Sequence, residues 1–364
     1  MNKYDAIIVG AGIYGSVLAQ QLTEQKKKVL VIDKRHHIGG NCYTEMQYGI
    51  PVHMYGGHVW NNDSDKVQDY ISQFTKFNNF KCSVKVNYLN KIYSFPINLF
   101  TLHQLYGCTT PHEARTALEA RKVSIDSPKN LEEWCLSQVG PEIYEIFIKG
   151  YTERQWGRSA KDLPISIIKR IPIRFDMSDH YFTTTKYEGI PIGGYTPMFE
   201  RMLSGVEVQL NTDFLSEKSV FERLSDNIIY TGPIDELLDY KLGPLPYRSL
   251  RFDFRTVDGV FQGNHTVNYT HSSVPFNRIH EHCFFDLQSN PYKSVISYEF
   301  PEEWVVGKER YYPIGSDENR DLYRQYRELL PKNYLVGGRL GSYLYMDMHM
   351  VVAQALKDGE NFGK

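Results

Sequence analysis

The chain has 364 residues, is 41% hydrophobic and 14% aromatic, and carries a formal net charge of -2. That length predicts two or three domains with a buried core and room for a deep cleft, and the near-neutral charge excludes an electrostatic case for a nucleic-acid partner. No apolar run is long enough for an integral membrane segment, and the five cysteines are odd in number, outside CxxC spacing and without a histidine cluster. They predict reduced thiols, no metal site and a cytoplasmic location.

In chain order, "YDAIIVGAGIYGSVLAQ" at residues 4–20 reads as an apolar strand, a turn of three glycines and a helix from about Ile13 to Glu24, with Val17, Leu18 and Leu22 on its buried side. "KKKVLVIDK" follows as a second buried strand ending at Asp33, which completes a βαβ unit. Gly10, Gly12 and Gly15 fit GxGxxG. The first allows the turn, the second lets backbone approach a pyrophosphate, and the third lets helix and strand pack closely. The helix N-terminus offers free N–H groups to phosphates. Asp33, with Lys34 after it, is placed to accept hydrogen bonds from ribose hydroxyls. A second glycine turn, Gly39-Gly40-Asn41, favours FAD over NAD as the cofactor. "GIPVHMYGGHVWNND" then reads as loop and short strand.

From about Asn98 to Gln155 the apolar spacing turns helical, with starts at Thr110-Pro111 and Asn130. Residues from about 80 to 96 and 165 to 325 are richer in β-branched and aromatic residues, and "VNYLNKIYSF", "HTVNYTH" and "KSVISYEF" read as strands. "IIYTGPIDELLD" is a strand into a turn. In "YLVGGRLGSYLYMDMHMVVAQAL" a strand stops at Gly337-Gly338 and a helix starts near Asp347, where the helix N-terminus would face the flavin's pyrimidine end. No second glycine fingerprint for NAD(P)H follows. The fold class is α/β: an FAD-binding Rossmann-like domain (1–80, 195–240, 328–364) with a small helical domain (97–160) and an antiparallel-sheet domain (81–96, 161–194, 241–327) inserted.

Motifs in order along the chain carry a resemblance: "HIGGN" at 37–41, "KGYTERQWGRSAKDLP" at 149–164, "IIKRIP" at 167–172, "GIPIGGYT" at 189–196, "YTGPID" at 230–235, "YRSL" at 247–250, "YYP" at 311–313, "GGRL" at 337–340 and "YMDMH" at 345–349. Over essentially its whole length the chain resembles the bacterial UDP-galactopyranose mutases. The resemblance implies a flavin-dependent interconversion of pyranose and furanose forms of a nucleotide sugar with no net redox change, in which the reduced flavin N5 attacks the anomeric carbon to form a covalent adduct. It further implies an unidentified flavin reductant, a homodimer with contacts in the helical domain, and a place in surface polysaccharide (O antigen) synthesis.

Residue by residue, Arg170, Arg248 and Arg278 match positions that bind or approach the diphosphate; for any one of them a surface salt bridge is the plain alternative. Trp156 and Tyr151 match the nucleoside pocket, and Tyr181, Tyr312 and Tyr345 match tyrosines on the phosphates and sugar. His58 matches a histidine beside the flavin ring; Arg339, Asp347 and Met348 match the cofactor side. His58, Arg170 and Arg278 are the candidate catalytic residues. Residues 163–174 resemble a mobile lid that would carry Arg170 to the phosphates.

The match breaks in the sugar pocket. The family pattern "HKYGAHIFHTND" reads "HMYGGHVWNNDS" here, with Asn61 for a histidine, and Cys82 stands for an asparagine. Cysteine is a weak hydrogen-bonding group, so a sugar lacking one hydroxyl would lose little. UDP-galactose is the expected substrate, with dTDP-fucose, a 6-deoxy sugar, as its rival. An amine-oxidase-like FAD oxidoreductase and a non-catalytic nucleotide-binding module are the more distant alternatives.

Overall fold

A computed structural model of the chain describes residues 3–168, 173–182, 184–287 and 292–363. Ala6–Val9, Val29–Ile32 and Ile228–Tyr230 are apolar throughout and almost wholly buried, as strands covered on both faces must be. They join Tyr334–Val336 and Glu207–Gln209 in a five-stranded parallel sheet. Ala6–Val9 lies in the middle, with Ile7 opposite Ile228 on one side and Leu30 on the other. Strand order reverses there, so a crevice opens beyond the carboxyl ends of the strands.

The helix expected from Ile13 spans Ile13–Glu24. It is buried on more than the predicted side: Tyr14, Ser16, Ala19 and Gln20 are buried along with Val17, Leu18 and Leu22. The reason is a second cover, the helix Met348–Asn361, which lies on its other face. Tyr14 donates to Asp358 Oδ2 at 2.6 Å, and a Cβ on Gly359 would meet Gln21 Cβ at 3.1 Å.

A seven-stranded sheet runs Tyr312–Pro313, Tyr247–Asp258, Lys293–Glu303, Arg278–Glu281, Thr266–Tyr269, Lys85–Tyr88, Lys91–Ser94. Every neighbour is antiparallel except Thr266–Tyr269 against Lys85–Tyr88. That one parallel pairing carries the segment before Lys85 past His265. A smaller pairing, Trp60–Asn62 with Tyr187–Gly189, sets Asn61 opposite Glu188.

Against the seven-stranded sheet packs the helical segment, Leu99–Tyr106, Pro111–Glu119, Leu131–Ile143 and Gly150–Trp156, the last two joined by a π-helical stretch at Tyr144–Lys149. Asn98, Thr110 and Asn130 cap the first three, each accepting from the backbone N–H three residues on. Leu102, Ala114, Leu131, Cys135, Ile143 and Phe147 form its core.

Among the described residues, four elements differ from the expectation of strand across 165–325. Thr196–Met202, Lys218–Glu222, Ile234–Leu237 and Asp317–Glu328 are α-helices. The last carries Leu322, Tyr323 and Tyr326 at helical spacing on the side that packs inward, a period that a reading by β-branched and aromatic content passes over. A short helix, Gly338–Gly341, also intervenes before Asp347. All five cysteines are buried, and none forms a disulfide among the described residues. Among the described residues, no helix is long and apolar enough to cross a membrane and no group of three metal-ligating side chains comes together.

Candidate active site

A cleft of about 300 Å³ opens beyond the carboxyl ends of the parallel strands, and its floor is backbone. Gly10 has φ +107°, and a Cβ there would stand 2.0 Å from Thr231 Oγ1. A Cβ on Gly15 would stand 1.9 Å from the Gly10 carbonyl oxygen. The two glycine turns touch each other: a Cβ on Gly40 would lie 3.0 Å from Gly12 Cα. Gly10, Gly12, Gly15, Asp33, Lys34, Gly39, Gly40, Asn41, His58, Arg339 and Met348 all line this cleft. Asp347 does not; it is exposed at the N-terminus of Met348–Asn361 while Met346 and Met348 face the cleft on either side of it.

Asp33 is buried, and its carboxylate is tied to the chain. Oδ2 accepts from the Ala11 amide at 2.8 Å and Oδ1 from the Arg35 amide at 2.9 Å. It therefore holds the glycine turn to the second strand, with only its remaining lone pairs left for a ribose. Arg35, which the sequence reading passed over, lies on the Tyr55 ring at 4.4 Å, donates to Asn41 Oδ1 at 3.0 Å and pairs with Glu309 at 2.7 Å across the cleft mouth.

Arg339 tests the fit of a cofactor. Its Nε and Nη2 are buried without a hydrogen-bond partner among the described residues, and its guanidinium lies 4.6 Å from the Tyr345 ring and 5.3 Å from the Tyr312 ring. Buried guanidinium N–H groups left unmade are costly, so this cleft is built for an acceptor that the described residues do not supply. His58 stands beside it. Its Nδ1 meets the Gly56 carbonyl at 2.7 Å and therefore carries the proton, leaving Nε2 as an acceptor. Burial pushes its pKa down to about 4, so the ring is neutral.

Next to His58 and Arg339 lies a cluster of long side chains. Arg278 donates to the Tyr151 hydroxyl and pairs with Glu299 at 3.1 Å. Burial alone would lower the Arg278 pKa, but Glu299 and the surrounding tyrosines overcome it and hold the guanidinium firmly charged. Burial would raise Glu299, and Arg278 with His280 holds it below its ordinary value. Tyr312 stacks on Tyr345 at 5.8 Å. Tyr181 is pushed up to about 12, chiefly by burial, and it also senses Tyr151, Arg278, Cys82 and Tyr345. Tyr151, Tyr181 and Tyr312, all raised by burial, are thus neutral hydroxyl donors around one cation.

Cys82 is buried, with its amide donating to Glu188 Oε1 at 2.7 Å and its carbonyl accepting from the Tyr181 amide. Glu188, fully buried, also takes His180 Nε2 at 2.5 Å. Asn61 is half-buried on the strand facing Glu188.

Two predicted ligands are engaged elsewhere. Arg248 is buried and donates from Nε to the Gln155 carbonyl at 2.8 Å and from Nη2 to the Arg154 carbonyl at 3.1 Å. It closes the C-terminus of the helix that carries Tyr151 and Trp156, which places those residues without reaching into the cleft itself. Trp156 packs, half-buried, against the helical core. Arg170, with residues 169–172 of the expected lid, lies outside the described residues. The sequence reading missed Glu299, His280, Glu188 and the Arg35–Glu309 pair. Glu299 alone left a signal, an acid inside the apolar strand run "SVISYEF".

A family profile described as UDP-galactopyranose mutase matches residues 146–345, and one described as an NAD(P)-binding Rossmann-like domain matches residues 8–74. The chain is 38% identical over 370 residues to a probable UDP-galactopyranose mutase of Klebsiella pneumoniae, covering 100% of this chain and 95% of that one. It is 34% identical over 369 residues to a dTDP-fucopyranose mutase of Escherichia coli, covering 98% and 97%. A crystal structure of reduced UDP-galactopyranose mutase superimposes with a TM-score of 0.77 over 99% of this chain and 94% of that one, at 16% identity, which bears on the fold. Sequence likeness to a probable polyamine oxidase of Arabidopsis thaliana covers 15% of the chain. The nucleotide-binding unit and the family together imply a flavin cofactor, and the protein is an isomerase: the chain belongs to the UDP-galactopyranose mutase family and is a flavin-dependent nucleotide-sugar mutase.

Proposed function

We propose that the flavin is FAD and that the substrate is UDP-galactose, interconverted between its pyranose and furanose forms. The observation that carries this is the convergence of Arg278, Tyr151, Tyr181, Tyr312 and Tyr345 beside the unpartnered Arg339 and neutral His58. A reduced flavin, when bound, supplies a nucleophile for the anomeric carbon. The chain's own residues manage the leaving group. Arg278, held charged by Glu299, meets the diphosphate as negative charge develops on it. The hydroxyls of Tyr151, Tyr181 and Tyr312, too basic to ionise, donate to its oxygens. His58 Nε2, unprotonated, accepts a hydrogen bond beside the cofactor. Closure of residues 163–174 would bring Arg170 to the phosphates and exclude water. Family likeness supports a homodimer joined through residues 97–160, an external reductant and a cytoplasmic location.

A specific observation favours a second substrate, dTDP-fucose. The Cys82 side chain is a buried thiol where an asparagine would offer both a donor and an acceptor, and the dTDP-fucopyranose mutase of Escherichia coli matches along 98% of the chain. Product analysis after dithionite reduction tests both. Protein is incubated with UDP-galactofuranose or dTDP-fucofuranose, each beside an oxidised control. Pyranose in the reduced samples alone establishes the mutase, and the faster sugar identifies the substrate. Bleaching of the oxidised flavin by substrate would replace this reading with oxidoreduction.

A further inference from the structure

Four histidines, His53, His265, His280 and His282, lie around Phe285, and His58 joins them through its amide, which donates to His53 Nδ1 at 3.0 Å. One of them joins three parts of the site. His280 is buried, its Nδ1 lies 2.9 Å from Thr266 Oγ1, and its Nε2 lies 3.3 Å from both Glu299 Oε2 and the Gly57 amide.

The hydrogen positions along this chain can be worked out from one end. His265 Nε2 accepts from the Ser83 amide at 3.0 Å, and burial pushes the His265 pKa down to about 3. The ring is therefore neutral with its proton on Nδ1, which donates to Thr266 Oγ1 at 2.9 Å. The Thr266 hydroxyl is then free to donate to His280 Nδ1. That leaves the His280 proton on Nε2, aimed at Glu299, whose other oxygen faces Arg278 Nε at 3.1 Å. An ordered run of donors thus connects the Cys82–Ser83 segment to Glu299, and the ion pair of Glu299 carries it to the arginine of the diphosphate site. The Gly57 amide competes for the same Nε2. One ring nitrogen cannot donate to Glu299 and accept from Gly57 at once.

The local packing is specific to this ring. A Cβ on Gly57 would stand 2.9 Å from His280 Nδ1 and 2.8 Å from Phe285 Cζ. Gly57 is also a place where this chain departs from the "YGAH" pattern, so the missing methyl and the histidine occupy one space.

We propose that His280 is a positioning residue for the mutase reaction, orienting Arg278 through Glu299 while its ring seats the Gly57–His58 loop. This rests on the mutase reading, and the test separates the two. UDP binding to the oxidised protein, followed by flavin absorbance, needs no turnover; conversion of nucleotide sugar by the wild type tests the mutase reading on its own.

His280→Leu, His280→Gln and His282→Leu are compared. His282 is equally buried but bonds only the His53 amide and Ser297, so it controls for the loss of a core imidazole. Losing a hydrogen bond to a charged group is worth roughly tenfold or more in affinity. His280→Leu is expected to raise the Kd for UDP about tenfold and to lower kcat, and His280→Gln, which keeps a planar donor, to recover most of both. His282→Leu is expected to lower Tm with UDP affinity within about twofold of wild type. Gly57→Ala displaces the same ring from the other side and should weaken UDP in the same direction, which keeps the proposal testable if His280→Leu does not accumulate. Wild-type UDP affinity in His280→Leu or in Gly57→Ala, or an equal loss in His282→Leu, overturns it.

Discussion

The floor of the dinucleotide cleft and the cluster beside it are neighbours built in opposite ways. The floor is backbone: Gly10, Gly15 and Gly40 leave no room for side chains, and Asp33 uses its two carboxylate oxygens to hold the Ala11 amide of the turn and the Arg35 amide. The cluster is side chain: Arg278, Glu299, Tyr151, Tyr312 and Tyr345 reach one another from strand, helix and loop. A backbone site tolerates almost no change at its few fixed positions. A side-chain site tolerates change if charge balance survives, which is where a family can alter its substrate.

The contrast predicts a hierarchy. Gly15→Ala drives a Cβ to 1.9 Å from a carbonyl oxygen, so strand and helix must separate. We expect a loss above about 3 kcal/mol and purified protein with little bound flavin, read by Tm and the flavin-to-protein absorbance ratio. A stable, yellow Gly15→Ala protein would show the floor to be more pliable than described.

Arg278→Ala removes the held cation while leaving the floor intact. Activity should fall about 100- to 1000-fold with normal flavin content. Loss of flavin together with activity would mean that the two regions are not separable.

Acid provides a third test. Burial sets the pKa of His265 at about 3 and of His58 at about 4, below the ordinary 6.5, and also lowers His53, His280 and His282. The unfolded chain therefore binds more protons than the folded one below 6.5. The stability from neutral burial is complete above that pH and is lost as pH falls toward the folded values. One such histidine costs about 3 kcal/mol between pH 6.5 and 4. A Tm that is flat across that range would contradict the burial.

Cys82→Asn restores an amide beside Glu188 and should shift the preference between UDP-galactose and dTDP-fucose by about tenfold toward the sugar with the extra hydroxyl, read as a ratio of kcat/KM values. The smallest effect belongs to the exposed clasp. Glu309→Gln should change stability by less than about 1 kcal/mol but speed flavin release on dilution.

The same contrast explains what could be read beforehand. The cleft floor shows in "GAGIYG" and "HIGGN" because turns and close approaches demand glycine at set spacings. The side-chain cluster has no spacing of its own. Tyr151 and Arg278 meet across 127 residues, and only likeness to a family suggested them. Arg248 shows the limit of that likeness, since a matching residue turned out to be spent on the helix carbonyls. Glu299 and His280 went unnoticed because their partners are set by strand register, which periodicity does not reveal. Asp317–Glu328 was lost for a different reason: Leu322, Tyr323 and Tyr326 do mark one face, but a reading by β-branched and aromatic content passed over their spacing.

The double cover of Ile13–Glu24 has a consequence for how the protein is made. Tyr14 and Asp358 are partners 344 residues apart. At roughly 5–20 residues per second, the first helix leaves the ribosome about 20–70 s before its second cover exists. Its nucleotide turn can form early, but it stays half-clad until the last helix arrives. A message truncated shortly before residue 348 would yield a nearly full-length chain with an apolar stripe open to solvent, a natural target for chaperones and proteases.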